Sequence, residues 1–213
     1  MRYKAILFDM DGTLLDTLTD MADAVNHILS VHGWPLRTIE EVRAFVGNGA
    51  RRLMERAVPP EVTGGDFEAV LTEYRDWYQA HNCVATAPYP GIPALLAALA
   101  KAGIKTAVVS NKPDATTKTL AARFFPGLPA FGQRDDVPPK PAPDLVFRAL
   151  ETLGVDAADA IYVGDSEVDV ATARNAGLPL AAVSWGFRGR RALAEAGAAV
   201  IVDTAAELLE VLR

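Results

Sequence analysis

Two short stretches each place carboxylates directly behind an apolar run. In the first, Phe8-Asp9-Met10-Asp11-Gly12-Thr13-Leu14-Leu15-Asp16, Asp9 and Asp11 follow the apolar residues from Tyr3 to Phe8. Strand side chains alternate faces, so residues two apart point to the same side. An Asp-Gly turn would account for Asp11-Gly12 but not for Asp9. In the second, Ile161-Tyr162-Val163-Gly164-Asp165-Ser166-Glu167-Val168-Asp169, Asp165 stands at a strand end. Asp169, four residues later, turns back to the same side once a helix has begun. Two strands bringing carboxylates to one sheet edge repel each other unless a cation lies between them, and oxygen-only ligands suit a hard ion such as Mg²⁺. Ser110-Asn111 follows the apolar run Lys105–Val109, so a hydroxyl and backbone N–H groups reach the same edge. Lys140 sits in Pro138-Pro139-Lys140-Pro141-Ala142-Pro143, where prolines restrict the loop that carries it. Acids, a hard cation, a hydroxyl and a fixed lysine together suit chemistry on a phosphate.

These residues need strands to carry them. Apolar runs at Tyr3–Phe8, Lys105–Val109, Ala160–Val163, Leu180–Ser184 and Ala199–Val202 read as strands of a parallel sheet covered on both faces. Helical patterns lie between them. Pro93–Ala102 stops at Gly103, Pro143–Leu153 at Gly154 and Val168–Ala176 at Gly177, with Ala205–Leu212 last. Strand and helix in alternation predict an α/β fold, a doubly wound, mainly parallel Rossmann-like sheet.

Residues 16–85 break that alternation and predict an inserted all-helical cap domain, against a core domain of residues 1–15 and 86–213. Leu18, Met21, Val25, Ile28 and Leu29 form one apolar stripe, and Leu53 and Ala57 another. Thr38-Ile39-Glu40-Glu41 has capping-box spacing. Phe67, Val70, Leu71, Tyr74, Trp77 and Tyr78 form a stripe behind Asp66, an expected N-cap, and read as bundle core. Asp16 is expected to cap the first helix of the insert. Hinges fall near Leu14–Thr17 and Ala85–Tyr89.

The 213 residues carry a formal charge of −6 and no basic run, which argues against nucleic acid or a membrane surface as partner. No apolar run is long enough for a spanning helix, and the first twelve residues lack the pattern of a signal peptide. The single cysteine, Cys83, excludes an internal disulfide and reads as a small half-buried hydrophobe. The expectation is a cytoplasmic protein, a monomer or homodimer.

Four motifs in order resemble the haloacid dehalogenase-like hydrolase superfamily, phosphatase branch: Asp9-Met10-Asp11-Gly12-Thr13, Ser110, Lys140 and Gly164-Asp165-Ser166-Glu167-Val168-Asp169. The resemblance implies that Asp9 is a nucleophile forming an aspartyl-phosphate. It implies that Asp11 serves as acid and then base. Ser110 and Lys140 would complete the catalytic set, and Gly12, Ser110, Asn111 and Lys140 would bind the phosphate. Mg²⁺ would be held by Asp9, the Asp11 carbonyl and Asp165, with Asp169 as outer or alternative ligand.

Within that superfamily, Phe45-Val46-Gly47-Asn48-Gly49-Ala50-Arg51-Arg52-Leu53, Ala173-Arg174-Asn175-Ala176-Gly177 and Ser184-Trp185-Gly186-Phe187 resemble phosphoglycolate phosphatases. The implied substrate is a small phosphorylated metabolite, 2-phosphoglycolate first. Pyrophosphatase, broad sugar-phosphate phosphatase, β-phosphoglucomutase-like and non-catalytic readings are the alternatives. Arg51, with Asn48 second, is the candidate for meeting the substrate carboxylate from the cap. Arg188, Arg190 and Arg191 are read as solvent-facing.

Overall fold

The computed structural model describes residues 2–213. The chain opens with strand β1 (Ala5–Phe8) and the short β2 (Leu15–Asp16), then four helices: α1 (Leu18–Val31), α2 (Ile39–Phe45), α3 (Gly49–Ala57) and α4 (Gly64–His81). After the short β3 (Ala87–Pro88) come α5 (Ile92–Lys101), β4 (Lys105–Pro113), α6 (Asp114–Phe124) and β5 (Ala130–Gln133). The remainder is α7 (Asp144–Leu153), β6 (Ala160–Gly164), α8 (Glu167–Ala176), β7 (Leu180–Val183), α9 (Gly189–Glu195), β8 (Ile201–Val202) and α10 (Ala205–Leu212).

Six strands form one parallel sheet in the order β5-β4-β1-β6-β7-β8. The strand alternation is visible in the packing. Ile6, Phe8, Val108, Ile161 and Val163 face α5, α6 and α10, packing with Leu95, Leu99, Leu120 and Leu208. Their neighbours Ala5, Leu7, Ala107, Val109 and Tyr162 face α7 and α8, packing with Val146, Leu150 and Ala173. Both faces are buried, as all-parallel sheets require. Left-handed Gly154 and Gly177 end α7 and α8.

Besides the two-residue strands β2 and β3, three elements escape the sequence reading for visible reasons. Strand β5 is a half-buried edge strand with no continuous apolar run. Helix α6 buries Thr116 and Thr117 beside Leu120 and Ala121, so its stripe is half polar. Helix α9 buries only Leu193. Strand β4 also runs four residues past the expected Val109, with a register shift between Val109 and Pro113.

Helices α1–α4 enclose a hydrophobic core whose buried residues all lie between Leu18 and Tyr78, with half-buried Phe187 packed against it. The capping box of α2 is present: Glu41 N–H donates to Thr38 Oγ1 and Thr38 N–H to Glu41 Oε2. The N-cap of α4 is Thr63 rather than Asp66, which lies inside the first turn and there favours the positive helix end. The N-cap of α1 is Thr17; Asp16 belongs to β2, and its carboxylate accepts from Leu18 N–H at 3.3 Å. The two crossings between insert and sheet lie side by side. Strand β2 pairs antiparallel with β3, and Tyr89 N–H donates to Leu14 O. Buried Asp20 gathers the N–H groups of Val84, Ala85 and Thr86 at 3.0, 2.8 and 2.9 Å. Cys83 is half-buried against the sheet core. Among the described residues, no helix is long and apolar enough to cross a membrane.

Candidate active site

The C-terminal ends of β1, β4 and β6 meet beneath the insert and border a cavity of about 340 Å³. This is the edge where open α/β sheets bind ligands. Asp9 lies one residue past β1. Its Oδ1 accepts from Met10 N–H at 2.6 Å and lies 3.1 Å from Lys140 Nζ. Its Oδ2 has no hydrogen-bond donor among the described residues.

Asp165 and Asp169 arrive from β6 and α8. Ligand oxygens of Asp9, Asp165 and Asp169 lie within 4.8 Å of one another, and all three residues are buried. Burial, the Asp169 charge and the Asp9 charge hold the Asp165 carboxyl well above its ordinary range. Burial likewise pushes Asp9 up to about 7, against the pull of Lys140, with Asp169 and Asp11 adding to the rise. Such a strained set of oxygens fits a divalent cation.

The oxygens of Asp169 are already engaged. Oδ1 accepts from Lys140 Nζ at 2.8 Å. Oδ2 accepts from Ser166 Oγ at 2.6 Å and from the N–H groups of Asp165 and Ser166. It orients Lys140 and the β6–α8 turn. Asp165 is itself placed by Thr13 Oγ1 at 3.2 Å and by Phe187 N–H at 2.7 Å.

Gly12 is required here for its missing side chain. Its φ is +81°, and a Cβ would stand 2.3 Å from Asp165 Oδ2. Its N–H donates to Leu15 O. Asn111 borders the cavity, and its side chain is engaged elsewhere. Its side chain accepts from Lys140 N–H at 2.7 Å and donates to Lys140 O and Gly47 O. It fixes the lysine loop and holds the glycine loop of the insert. Ser110, 1% exposed, borders the cavity as expected.

Lys140 is enclosed by Asp9, Asp169 and Tyr162 Oη, the last at 3.0 Å. Burial would pull its ammonium down, but Asp169 and Asp9 hold it well above its usual value. Tyr162, which reads in sequence as one more strand residue, passes its own O–H to Val109 O.

Two further groups were not signalled by sequence. Lys112, two residues past Ser110 on the extended β4, lies 3.2 Å from Asp11 Oδ1 and 2.7 Å from Tyr78 Oη of α4. Thr17 Oγ1 donates to the same Asp11 oxygen at 2.7 Å. Arg188, expected in solvent, instead ties the sheet to the insert. Its guanidinium meets Glu167 at 2.9 Å and donates to the carbonyls of Arg43 and Val46 at the end of α2. Arg190 and Arg191 do lie outside, paired with Asp203 and Glu195.

The two cap candidates do not reach the site. Arg51 forms a bidentate pair with Glu68 at 2.8 and 2.7 Å and covers Phe67. Asn48 accepts from Arg56. Neither borders the cavity. Tyr74 and Tyr78, read as bundle core, form part of its wall together with Met21 and Leu53. Buried carboxylates that could hold a cation, under a largely apolar roof and with one Asp9 oxygen free of donors, suit attack on a phosphorus ester.

The model of the haloacid dehalogenase-like hydrolases matches residues 6–183. The chain belongs to that family. Across 221 residues it is 37% identical to the N-acetylmuramic acid 6-phosphate phosphatase of Pseudomonas aeruginosa, covering all of this chain and 96% of that one. It is 35% identical to the phosphoglycolate phosphatase of Pseudomonas savastanoi, over 97% of this chain and 78% of the relative. A crystal structure from Lactobacillus delbrueckii, of a protein provisionally assigned as a phosphoglycolate phosphatase, superposes with a TM-score of 0.94. That structure shares 37% identity, over 100% and 99% of the two chains. As a haloacid dehalogenase-like hydrolase with phosphatase relatives along its whole length, the chain is an enzyme of the phosphatase kind.

Proposed function

We propose that the protein is a divalent-cation-dependent phosphatase, with Mg²⁺ as its metal, and that it hydrolyses a small phosphate monoester through an aspartyl-phosphate on Asp9. The observation that carries this reading is the free Oδ2 of Asp9, flanked by Asp11, Lys140 and Asp165 under one cavity. Residues 16–85 act as a cap domain over a core of residues 1–15 and 86–213.

Asp9 Oδ2 attacks phosphorus opposite the ester oxygen. The ester P–O bond breaks, and the leaving oxygen takes a proton from Asp11. Water then attacks the aspartyl-phosphate, Asp11 accepts its proton, and inorganic phosphate and free Asp9 result. Ser110 Oγ and Lys140 Nζ hold the phosphoryl oxygens, and the cavity roof excludes bulk water. Asp9, Asp165 and the Asp11 carbonyl would hold a divalent cation, which would supply charge neutralisation.

The favoured substrate is 2-phosphoglycolate, which the phosphoglycolate phosphatase relatives support. A second reading, a larger sugar-acid phosphate, is favoured by the size of the cavity and by the relative that acts on N-acetylmuramic acid 6-phosphate. The test is phosphate release with Mg²⁺ from 2-phosphoglycolate, N-acetylmuramic acid 6-phosphate, pyrophosphate and hexose phosphates. A kcat/KM highest on 2-phosphoglycolate supports the reading. Preference for the muramic acid ester selects the second, and conversion of a hexose 1-phosphate to the 6-phosphate would indicate a mutase.

A further inference from the structure

Asp11 is the group that meets the leaving oxygen in the proposed reaction, so whatever surrounds Asp11 surrounds the leaving group. Lys112 is the cation beside it, its side chain only 3% exposed. An ammonium carries three donors and no acceptor. Tyr78 Oη takes one at 2.7 Å, and Asp11 Oδ1 is the ion-pair partner at 3.2 Å. Another meets only Met21 Sδ at 4.0 Å, and a thioether is a weak acceptor. Because lysine cannot accept, Tyr78 Oη must be the acceptor in their bond. The Tyr78 O–H then has no acceptor among the described residues. Tyr74 stacks parallel to Tyr78 at 5.8 Å. Burial holds both phenols above their ordinary range, so they stay protonated donors near neutral pH.

The other cations in and beside the cavity are differently placed. Lys140 is enclosed by two carboxylates and a phenol. Arg188 is engaged by Glu167 and two carbonyls. Arg75 is exposed. Among the described residues, Lys112 with Tyr78 is therefore the buried lysine–phenol pair with donor capacity to spare beside the proton-transferring acid.

We propose that Lys112 Nζ and Tyr78 Oη form the subsite for a carboxylate that the leaving group bears on its ester carbon. The inference rests on the phosphatase reading above and sharpens it to phosphorylated 2-hydroxy acids. The spacing follows from reach. Asp11 hydrogen-bonds the ester oxygen over about 3 Å, and the lysine lies 3.2 Å from Asp11. A carboxylate bonded to it must hang within one or two bonds of the ester carbon. Lys112 joins the core side of this subsite to Tyr78 on α4, so the insert must be seated for the pair to exist.

The experiment compares 2-phosphoglycolate with isobutyl phosphate, in which two methyls replace the carboxylate oxygens. The expected wild-type kcat/KM favours 2-phosphoglycolate. In Lys112→Met that preference falls by about 10–100-fold, the scale of a charged hydrogen bond, while isobutyl phosphate turnover falls far less. Lys112→Arg restores part of the preference, and Tyr78→Phe lowers it by about 3–10-fold. An equal loss on both esters in Lys112→Met, or a wild type without preference, overturns the subsite. Tyr78→Phe keeps the ring in place and gives an independent reading should Lys112→Met fail to fold in a thermal melt. No turnover of either ester or of p-nitrophenyl phosphate overturns the phosphatase reading itself, a result distinct from lost preference alone.

Discussion

The floor and the roof of the cavity are built by opposite rules. The floor is the sheet edge, where Asp9, Asp165, Asp169 and Lys140 are each fixed by neighbours in a closed network. The roof is the insert, whose wall residues Met21, Leu53, Tyr74 and Tyr78 are largely apolar. Polar geometry on the floor constrains the chemistry, and shape and sparse donors on the roof constrain the substrate. The bonds that join the two include Lys112 to Tyr78, Asn111 to Gly47, Thr17 to Asp11, Thr116 to Gln79, and Arg188 to Arg43 and Val46. The difference teaches where a substitution should act on turnover and where it should act on selection.

The sharpest break comes from the floor. Lys140→Met leaves Asp9 and Asp169 buried without their counter-charge, so we expect a loss of about 3–5 kcal/mol. Urea unfolding measures it, and a loss under about 1 kcal/mol would mean that the network is not closed as described. Gly12→Ala acts on the same floor by overlap with Asp165 and by a strained left-handed backbone. It should cost about 1–3 kcal/mol and raise the Mg²⁺ concentration needed for half-maximal rate. A Mg²⁺ titration of activity checks this.

The floor also predicts a pH signature. Asp9 binds its proton more tightly in the folded protein, with a value near 7 against 3.8 as the reference. Asp165 is shifted the same way. A raised carboxyl favours the folded state while protonated, so metal-free stability should fall as pH rises through that window. Mg²⁺, which binds the ionised form, should raise the melting temperature more at pH 8 than at pH 5. Equal Mg²⁺ effects at both values would separate the cation from these carboxylates.

The smallest effects belong to the roof. Arg188→Ala should raise KM by about 3–10-fold with little change in kcat, because it weakens seating of the insert by a few hydrogen bonds. Arg51→Ala should leave kcat/KM unchanged and lower stability by no more than about 1 kcal/mol, as exposed pairs do. A large KM effect from Arg51 with none from Arg188 would invert the comparison.

The same contrast explains what could be read from sequence. Strand period and strand ends place Asp9, Asp11 and Asp165 on one edge before any packing is known, because a strand end has few ways to point. Lys140 is legible through its prolines. Lys112 is not, because β4 continues past its apolar run into Ser110-Asn111-Lys112, which reads as a loop. Arg51 and Arg188 exchange their expected roles for a related reason. Which face of a short helix or loop meets the sheet depends on how the insert docks, and an exposed Glu68 offers Arg51 a better partner than the cavity does. Tyr78 reads as core because its ring is core; only its hydroxyl reaches the site.

The central claim is that Asp9 carries the phosphoryl group, and trapping that species tests it most directly. The enzyme is mixed with excess 2-phosphoglycolate and Mg²⁺, quenched in acid within one turnover, digested and mapped by mass spectrometry. The account predicts a phosphorylated carboxylate on Asp9 in the wild type and none in Asp9→Asn, which should also lose turnover. Phosphate released with no labelled Asp9, or full turnover in Asp9→Asn, would contradict it.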